Sequence, residues 1–180
     1  MPTVTPTQVA LAATDGAIAE IEVPFPPLDG NRVADLIAHV KRKRRVGVLL
    51  VRRSGYAVGV FAGSDLQRSK VDSTYVQGTT KAGGWSQQRY ARRRANQAGA
   101  AFAEAADVAA RILLDARLDA LVAGGDRQAV RAVLADRRLT GLEPLLRPPW
   151  LAVKDPKLRV LAATPEQFLT VKITLTDPTV

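Results

Sequence analysis

Apolar residues change their period along this chain, and each change marks the edge of an element. Ile18 to Val23 alternates as a strand does and stops at the cluster Pro24, Pro26 and Pro27. Asn31 to Lys43 carries Val33, Leu36, Ile37 and Val40 at helical spacing, which predicts a short amphipathic helix. Val46 to Val51 is a continuous apolar run of buried-strand type. Ser54-Gly55 then turns the chain into a second strand, Tyr56 to Ala62, and together they predict a hairpin. A third strand is expected from Asp65 to Ser73, with Leu66 and Val71 on its faces. Thr74 to Ser86 holds Gly78, Gly83 and Gly84 with neither period, and reads as a loop.

The longest regular pattern follows. From about Gln87 to Arg117, residues Ala91, Ala95, Ala98, Phe102, Ala105, Ala109, Ile112 and Ala116 recur at alternating steps of four and three. That is one apolar stripe on a helix of ~45 Å, at ~1.5 Å of rise per residue. Alanine favours the helix and permits close approach to a sheet. Arg89, Arg92, Arg93 and Asn96 fall off the stripe, so the first turns offer cations to solvent. Beyond it, Leu118 to Ala123 reads as a strand ending in Gly124-Gly125, and Asp126 suits the N-cap of a helix over Arg127 to Arg138. Leu145 to Val153 predicts a strand interrupted by Pro148-Pro149. A short helix at Pro165 to Leu169 and a strand at Val171 to Leu175 follow. This order predicts a single α/β domain over residues 17–180, a mixed sheet with the long helix packed on it, preceded by a loose, Thr-, Ala- and Pro-rich arm over residues 1–16.

Composition narrows the picture. A chain of 180 residues, 47% hydrophobic and 24% charged, fits one soluble globular domain. It has no cysteine, which excludes disulfides and thiolate metal sites and is compatible with a reducing compartment. Met1 to Ala13 lacks the basic-then-apolar order of a signal peptide, and no apolar run approaches the ~20 residues of a membrane span. A cytoplasmic location with no membrane partner is the expectation.

Charge is placed unevenly. Residues 41–94 hold 14 of the 26 Lys and Arg against two acids, Asp65 and Asp72, while the remainder of the chain is slightly acidic. A surplus confined to one stretch is the footprint of a polyanion-binding face, or else of a solvated basic surface with no specific partner. The cations that matter are Lys41, Arg42, Lys43, Arg44 and Arg45, with Lys81, Arg89, Arg92, Arg93 and Arg94.

Familiar catalytic sets are missing. His39 is the single histidine, so a triad or a His-rich metal site is not expected. No phosphate-binding loop or nucleophile elbow occurs, and Gly124-Gly125 reads more readily as a tight turn than as an anion site. A metal nuclease would need several acids to converge, and Asp65 and Asp72 alone give weak support. What remains is the loop. Gly83 and Gly84 allow close approach to another surface, Trp85 offers an anchor or a stacking platform, and Ser86 suits a helix cap. Gln87 and Gln88 follow, and the residues alone do not choose between them. An amide cannot be a general base, but it orients water and donates to a developing oxyanion.

Gly83-Gly84-Trp85-Ser86-Gln87 before a long arginine-rich helix resembles the catalytic loop of the Vms-like release factors, in a compact, actinobacterial-type branch. That family is similar to the central domain of the eukaryotic and archaeal peptide-release factor. Leu121 to Gly125 and Val171-Lys172-Ile173 extend the likeness as pattern. The resemblance implies a ribonuclease-H-like α/β fold without a metal site, no cofactor, and a peptidyl-tRNA hydrolase acting on stalled ribosomes or large subunits. Its partners would be the large subunit, ribosomal RNA and peptidyl-tRNA. The family's Gly-x-x-Gln motif falls on Gly84 to Gln87, making Gln87 the implied catalytic residue, with Gly83, Gly84, Trp85, Ser86 and Gln88 supporting it. Release factors place glutamine directly after two glycines; here Trp85 and Ser86 intervene.

Overall fold

The computed structural model describes residues 2–73 and 86–178, and of residues 86–98 the backbone alone. Its centre is a mixed sheet built from four strands that the apolar runs anticipate. Strands β4 (Arg45–Arg52), β5 (Gly55–Ala62) and β6 (Asp65–Ser73) form an antiparallel meander. Strand β7 (Ala120–Gly125) adds parallel to β4, so the order is β6-β5-β4-β7. The free edge of β7 is partly covered by two isolated parallel bridges, Leu121 with Leu146 and Gly124 with Leu151. The strand expected there stays broken because Pro148 and Pro149, lying between the bridges, have no N–H to give a ladder.

Both faces of this sheet are covered, which is why β4 and β5 read as continuous apolar runs. One face presents Leu49, Val51, Tyr56, Val58 and Val60 to the long helix α2 (Ser86–Leu113) and to α3 (Arg127–Leu134). The other presents Val46, Val48, Leu50, Ala57 and Phe61 to Leu151, Leu161 and Phe168, carried by the C-terminal segment with its short helices α4 (Leu158–Ala162) and α5 (Pro165–Phe168). Gly47 leaves room under the end of α2 and the turn after it: a Cβ there would lie 2.6 Å from Leu118 Cδ1 and 3.2 Å from Leu113 Cδ2.

A second, smaller sheet has the order β1-β2-β3-β8, formed by Thr3–Val4, Gln8–Ala12, Ile18–Glu22 and Ile173–Thr176. The first residues are therefore not the loose arm that their composition suggests. Gln8 to Ala12 pairs along its whole length with β3, and Val9 is fully buried with Val23, Leu28 and Leu36. Pairing to a later strand overrides the Thr- and Pro-rich local signal. Helix α1 (Val33–Lys41) covers this sheet through Leu36 alone among its buried residues, leaving Ile37 and Val40 exposed rather than inward as the spacing predicts. A nine-residue helix has too few turns to bury a wide stripe.

Helix α2 is fixed by its C-terminal half. Ala105, Ala106, Val108, Ala109, Ile112 and Leu113 are buried, Phe102 is partly covered, and Gly99 and Ala100 are exposed. Small alanines let the helix lie close to β5, as the stripe predicts. At the N-terminal limit of this clamp the buried Tyr56 hydroxyl donates to Glu104 Oε1 at 3.1 Å. Nearby, Arg138 joins Asp136 at 2.8 Å to Asp107 of α2 at 2.6 Å, and holds the Asp136 carboxyl down to about 2.

Burial and the Glu104 contact push the Tyr56 phenol up to about 12. The neutral phenol is the form that the fold favours, so its contribution is complete below pH 10 and is lost as pH rises from about 10 to about 12. Difference absorbance of wild type against Tyr56→Phe should show this late ionisation. The variant should also lose about 1 kcal/mol in urea unfolding, the usual worth of one such bond.

Candidate functional site

The candidate residues fall into two groups held at opposite ends of α2. Ser86, Gln87 and Gln88 open the helix, and Arg89, Arg92, Arg93 and Arg94 lie within its next two turns. Ser86 is the first helical residue rather than a residue preceding it. Gly83, Gly84, Trp85 and Lys81 lie outside the described residues. Gln87 is 26 residues from Leu113 along one continuous helix, about 39 Å at ~1.5 Å per residue.

Lys41 to Arg45 sit at the other end. They join the C-terminus of α1 to the start of β4, beside the turn that follows α2, where Arg45 Nη1 donates to the Ala116 carbonyl at 3.0 Å. This run is not one solvated brush of cations. Lys41, Arg42 and Lys43 are exposed. Arg42 reaches Asp119 at 3.6 Å, and the Arg45 backbone N–H donates to the same carboxylate at 2.7 Å. Arg44 points inward and is only 8% exposed. Its Nη1 donates to the carbonyls of His39 at 2.8 Å and Arg42 at 3.3 Å, and its guanidinium lies 5.2 Å from the Phe25 ring centroid. Burial first, and Arg42 second, lower its affinity for the proton.

Around Arg44 is a cavity of about 180 Å³, lined among others by Phe25, His39, Arg42, Asp119 and Arg147. His39 is a boundary residue there, its Nε2–H donating to the Pro24 carbonyl at 2.8 Å. Arg147 comes from the segment beyond β7, and nothing in the local sequence ties it to the basic stretch. Its Nε donates to Pro26 O and its Nη1 to Pro144 O, both at 2.8 Å.

The alternative chemistries find little in the structure. Asp65 opens β6 and Asp72 is next to its end, seven residues or ~23 Å apart in extended chain, so they do not share a site. No group of three or more metal-ligating side chains occurs among the described residues. The Gly124-Gly125 turn is a packing device. A Cβ on Gly124 would meet Leu151 Cβ at 2.6 Å, and Gly125 has a φ of +89° that favours glycine. The turn's N–H groups are already used: Gly125 donates to Leu151 O and Asp126 to Val51 O, while Asp126 caps α3 by accepting from Gln128 and Ala129. That occupied turn offers an anion nothing. Trp150 closes it, donating from Nε1 to Gly125 O at 3.1 Å beneath the Arg127 guanidinium.

The chain belongs to the actinobacteria/chloroflexi VLRF1 release factor family, whose model matches residues 44–174. Its role is therefore release-factor-like, in translation. The match covers the main sheet, α2 and the arginine-rich helix start, and leaves out β1–β3, α1 and Lys41 to Lys43. Among solved structures, archaeal translation termination factor aRF1 aligns with 87% of this chain at 15% identity and a TM-score of 0.47. Another, described as an archaeal protein, aligns with 83% at 15% identity and a TM-score of 0.42. The chain covers 49% and 47% of those two chains, about half of each. Comparison with curated proteins finds no match. No helix among the described residues is long and apolar enough to cross a membrane.

The split between exposed and inward cations is measurable. Arg44→Ala should cost about 2–4 kcal/mol in urea unfolding, because it frees two carbonyls and empties the space beside Phe25. Lys43→Ala, one residue away and exposed, should stay within about 0.5 kcal/mol of wild type.

Proposed function

We propose that this protein is a ribosome-associated peptidyl-tRNA hydrolase that frees nascent chains from stalled ribosomes or large subunits. What supports this reading is the family match together with the position of Gln87, in the first turn of a helix whose far half is clamped to a sheet. An amide so placed reaches a site built by another molecule and does little in isolation.

In this mechanism, the segment around Gly78 to Gln88 enters the peptidyl-transferase centre. Gln87 orients a water molecule against the ester that joins the nascent chain to the terminal ribose of tRNA. Its N–H groups also stabilise the oxyanion that forms as the water attacks. Gly83 and Gly84 let the backbone approach RNA closely, Trp85 and Ser86 set the entry into α2, and Gln88 adds a polar neighbour. RNA supplies the other polar groups, so neither metal nor cofactor is required. Arg89, Arg92, Arg93, Arg94 and Lys81 neutralise phosphates near the tip, and Lys41 to Lys43 do so at the opposite end of α2. The protein then works in the cytoplasm with the large subunit, ribosomal RNA and peptidyl-tRNA as its partners.

A single-turnover release assay on peptidyl-tRNA-loaded large subunits tests the reading. Gln87→Ala should slow release by ~100- to 1,000-fold, the range for losing one preorganised oxyanion donor, with co-sedimentation on subunits unchanged. Wild-type release rates from that variant would leave only a ribosome-binding module. Subunit affinity should also fall steeply with added salt, in proportion to the number of phosphates neutralised.

A further inference from the structure

We infer that the cavity around Arg44 and Arg147, at the end of the molecule remote from Gln87, is a phosphate-binding site that takes a backbone phosphodiester of RNA. The choice of RNA over a free anion rests on the ribosomal function proposed above; the choice of phosphate rests on the cavity itself.

Three arginines, Arg42, Arg44 and Arg147, line the cavity against one acid, Asp119. That carboxylate is engaged, accepting from the Arg45 N–H at 2.7 Å and lying 3.6 Å from Arg42. Arg44 and Arg147 are both held by backbone carbonyls along part of the fork. Arg44 spends Nη1 on His39 O and Arg42 O. Arg147 spends Nε on Pro26 O, and Nη1 on Pro144 O and Leu146 O at 2.8 and 2.9 Å. Nε and Nη2 of Arg44 and Nη2 of Arg147 have no such acceptor among the described residues. Yet no buried side-chain nitrogen or oxygen there lacks a partner. The uncommitted N–H groups are therefore not sealed from solvent, and both arginines line the cavity.

This arrangement differs from a chance meeting of surface arginines. Carbonyl bonds and the Phe25 ring fix the Arg44 fork before any ligand arrives, so little side-chain freedom is lost on binding. Fixed guanidinium forks match the oxygens of a phosphate, which accepts paired N–H bonds. An anion would also relieve the crowding of Arg44 by Arg42. Size limits the ligand further. About 180 Å³ is below the ~300–1,000 Å³ of pockets that enclose drug-sized molecules, and it suits a phosphate group whose flanking nucleotides extend outside. Exposed Lys41 and Lys43, on either side of Arg42 in the chain, suit the neighbouring phosphates of a strand.

Geometry then gives the molecule two RNA contacts. Arg45 is bonded to the turn after α2, whose end at Leu113 lies about 29–36 Å along the helix from Arg94 to Arg89, at ~1.5 Å of rise per residue. Phe25, His39 and Arg42 stand outside the residues matched by the family model, whereas Arg44, Asp119 and Arg147 stand inside them. The N-terminal segment completes a cavity whose other wall belongs to the family domain.

The test uses the full chain with two probes, inorganic phosphate and a fluorescein-labelled 12-nucleotide RNA. Phosphate is followed at the arginine Nε–H NMR signals and RNA by anisotropy across a salt series. Arg42→Glu, whose side chain is exposed, should weaken RNA about tenfold or more and lower the salt slope by about one. Arg147→Lys keeps the charge but loses the fork, and should weaken RNA several-fold with thermal unfolding monitored alongside. Phosphate should perturb the Arg44 and Arg147 signals in wild type, and RNA should displace it. Phosphate binding that RNA does not displace would overturn the RNA assignment. Unchanged RNA affinity and slope in Arg42→Glu, with no phosphate response, would overturn the site altogether. Probe binding is read without ribosomes and release is read on loaded large subunits, so failure here and failure of the release assay are told apart.

Discussion

Everything functional in this molecule depends on how α2 is held. Six buried residues between Ala105 and Leu113 lay its C-terminal half on β5 and its neighbours, and the Tyr56–Glu104 hydrogen bond marks the end of that clamp. The helix then continues for another 18 residues, from Glu104 back to Ser86, or ~27 Å at the usual rise. A helix held at one end transmits position along its length because each turn is bonded to the next. The clamp therefore sets where Gln87 stands relative to the sheet, and also how far it stands from the Arg44 cavity.

The two ends have different chemical designs. At the Gln87 end the sequence supplies glycines, amides and successive arginines on the first turns of a helix. At the other end arginines from separate parts of the chain are locked by backbone carbonyls, with Asp119 binding Arg42 and the start of β4 together. On the proposed function the first end does chemistry and the second fixes register. Both draw on the same excess of Lys and Arg in residues 41–94, which a linear charge count merges into one patch.

The fold was legible wherever a long period met its burial. The α2 stripe and the β4–β5 hairpin have apolar residues that alternate or repeat without interruption, and the β6 boundaries, Asp65 and Ser73, follow from the turns around them. Strands β1 and β2 were hidden because Thr and Pro surround Val9, and because their partner β3 is the first element with a clear pattern. The inward turn of Arg44 was hidden for another reason. Five consecutive cations show no period, and only the three-dimensional packing of Phe25 and the His39 carbonyl singles one out. Arg147 had no local signal at all, since it reaches the cavity from beyond β7 through a carbonyl of Pro26. The family was legible from Gly83 to Gln87 and the long arginine-rich helix that follows, and its model matches residues 44–174.

The central claim is that one end of α2 enters the catalytic centre of the large subunit while the other grips RNA some distance away. Because the chain has no cysteine, a hydroxyl-radical probe can be tethered at a single introduced one. With Ser86→Cys on stalled large subunits, the account predicts RNA cleavage confined to the peptidyl-transferase centre, and with Lys43→Cys a separate set of cuts tens of ångströms away. Cleavage from position 86 that avoids that centre, or one shared pattern from both positions, would contradict it.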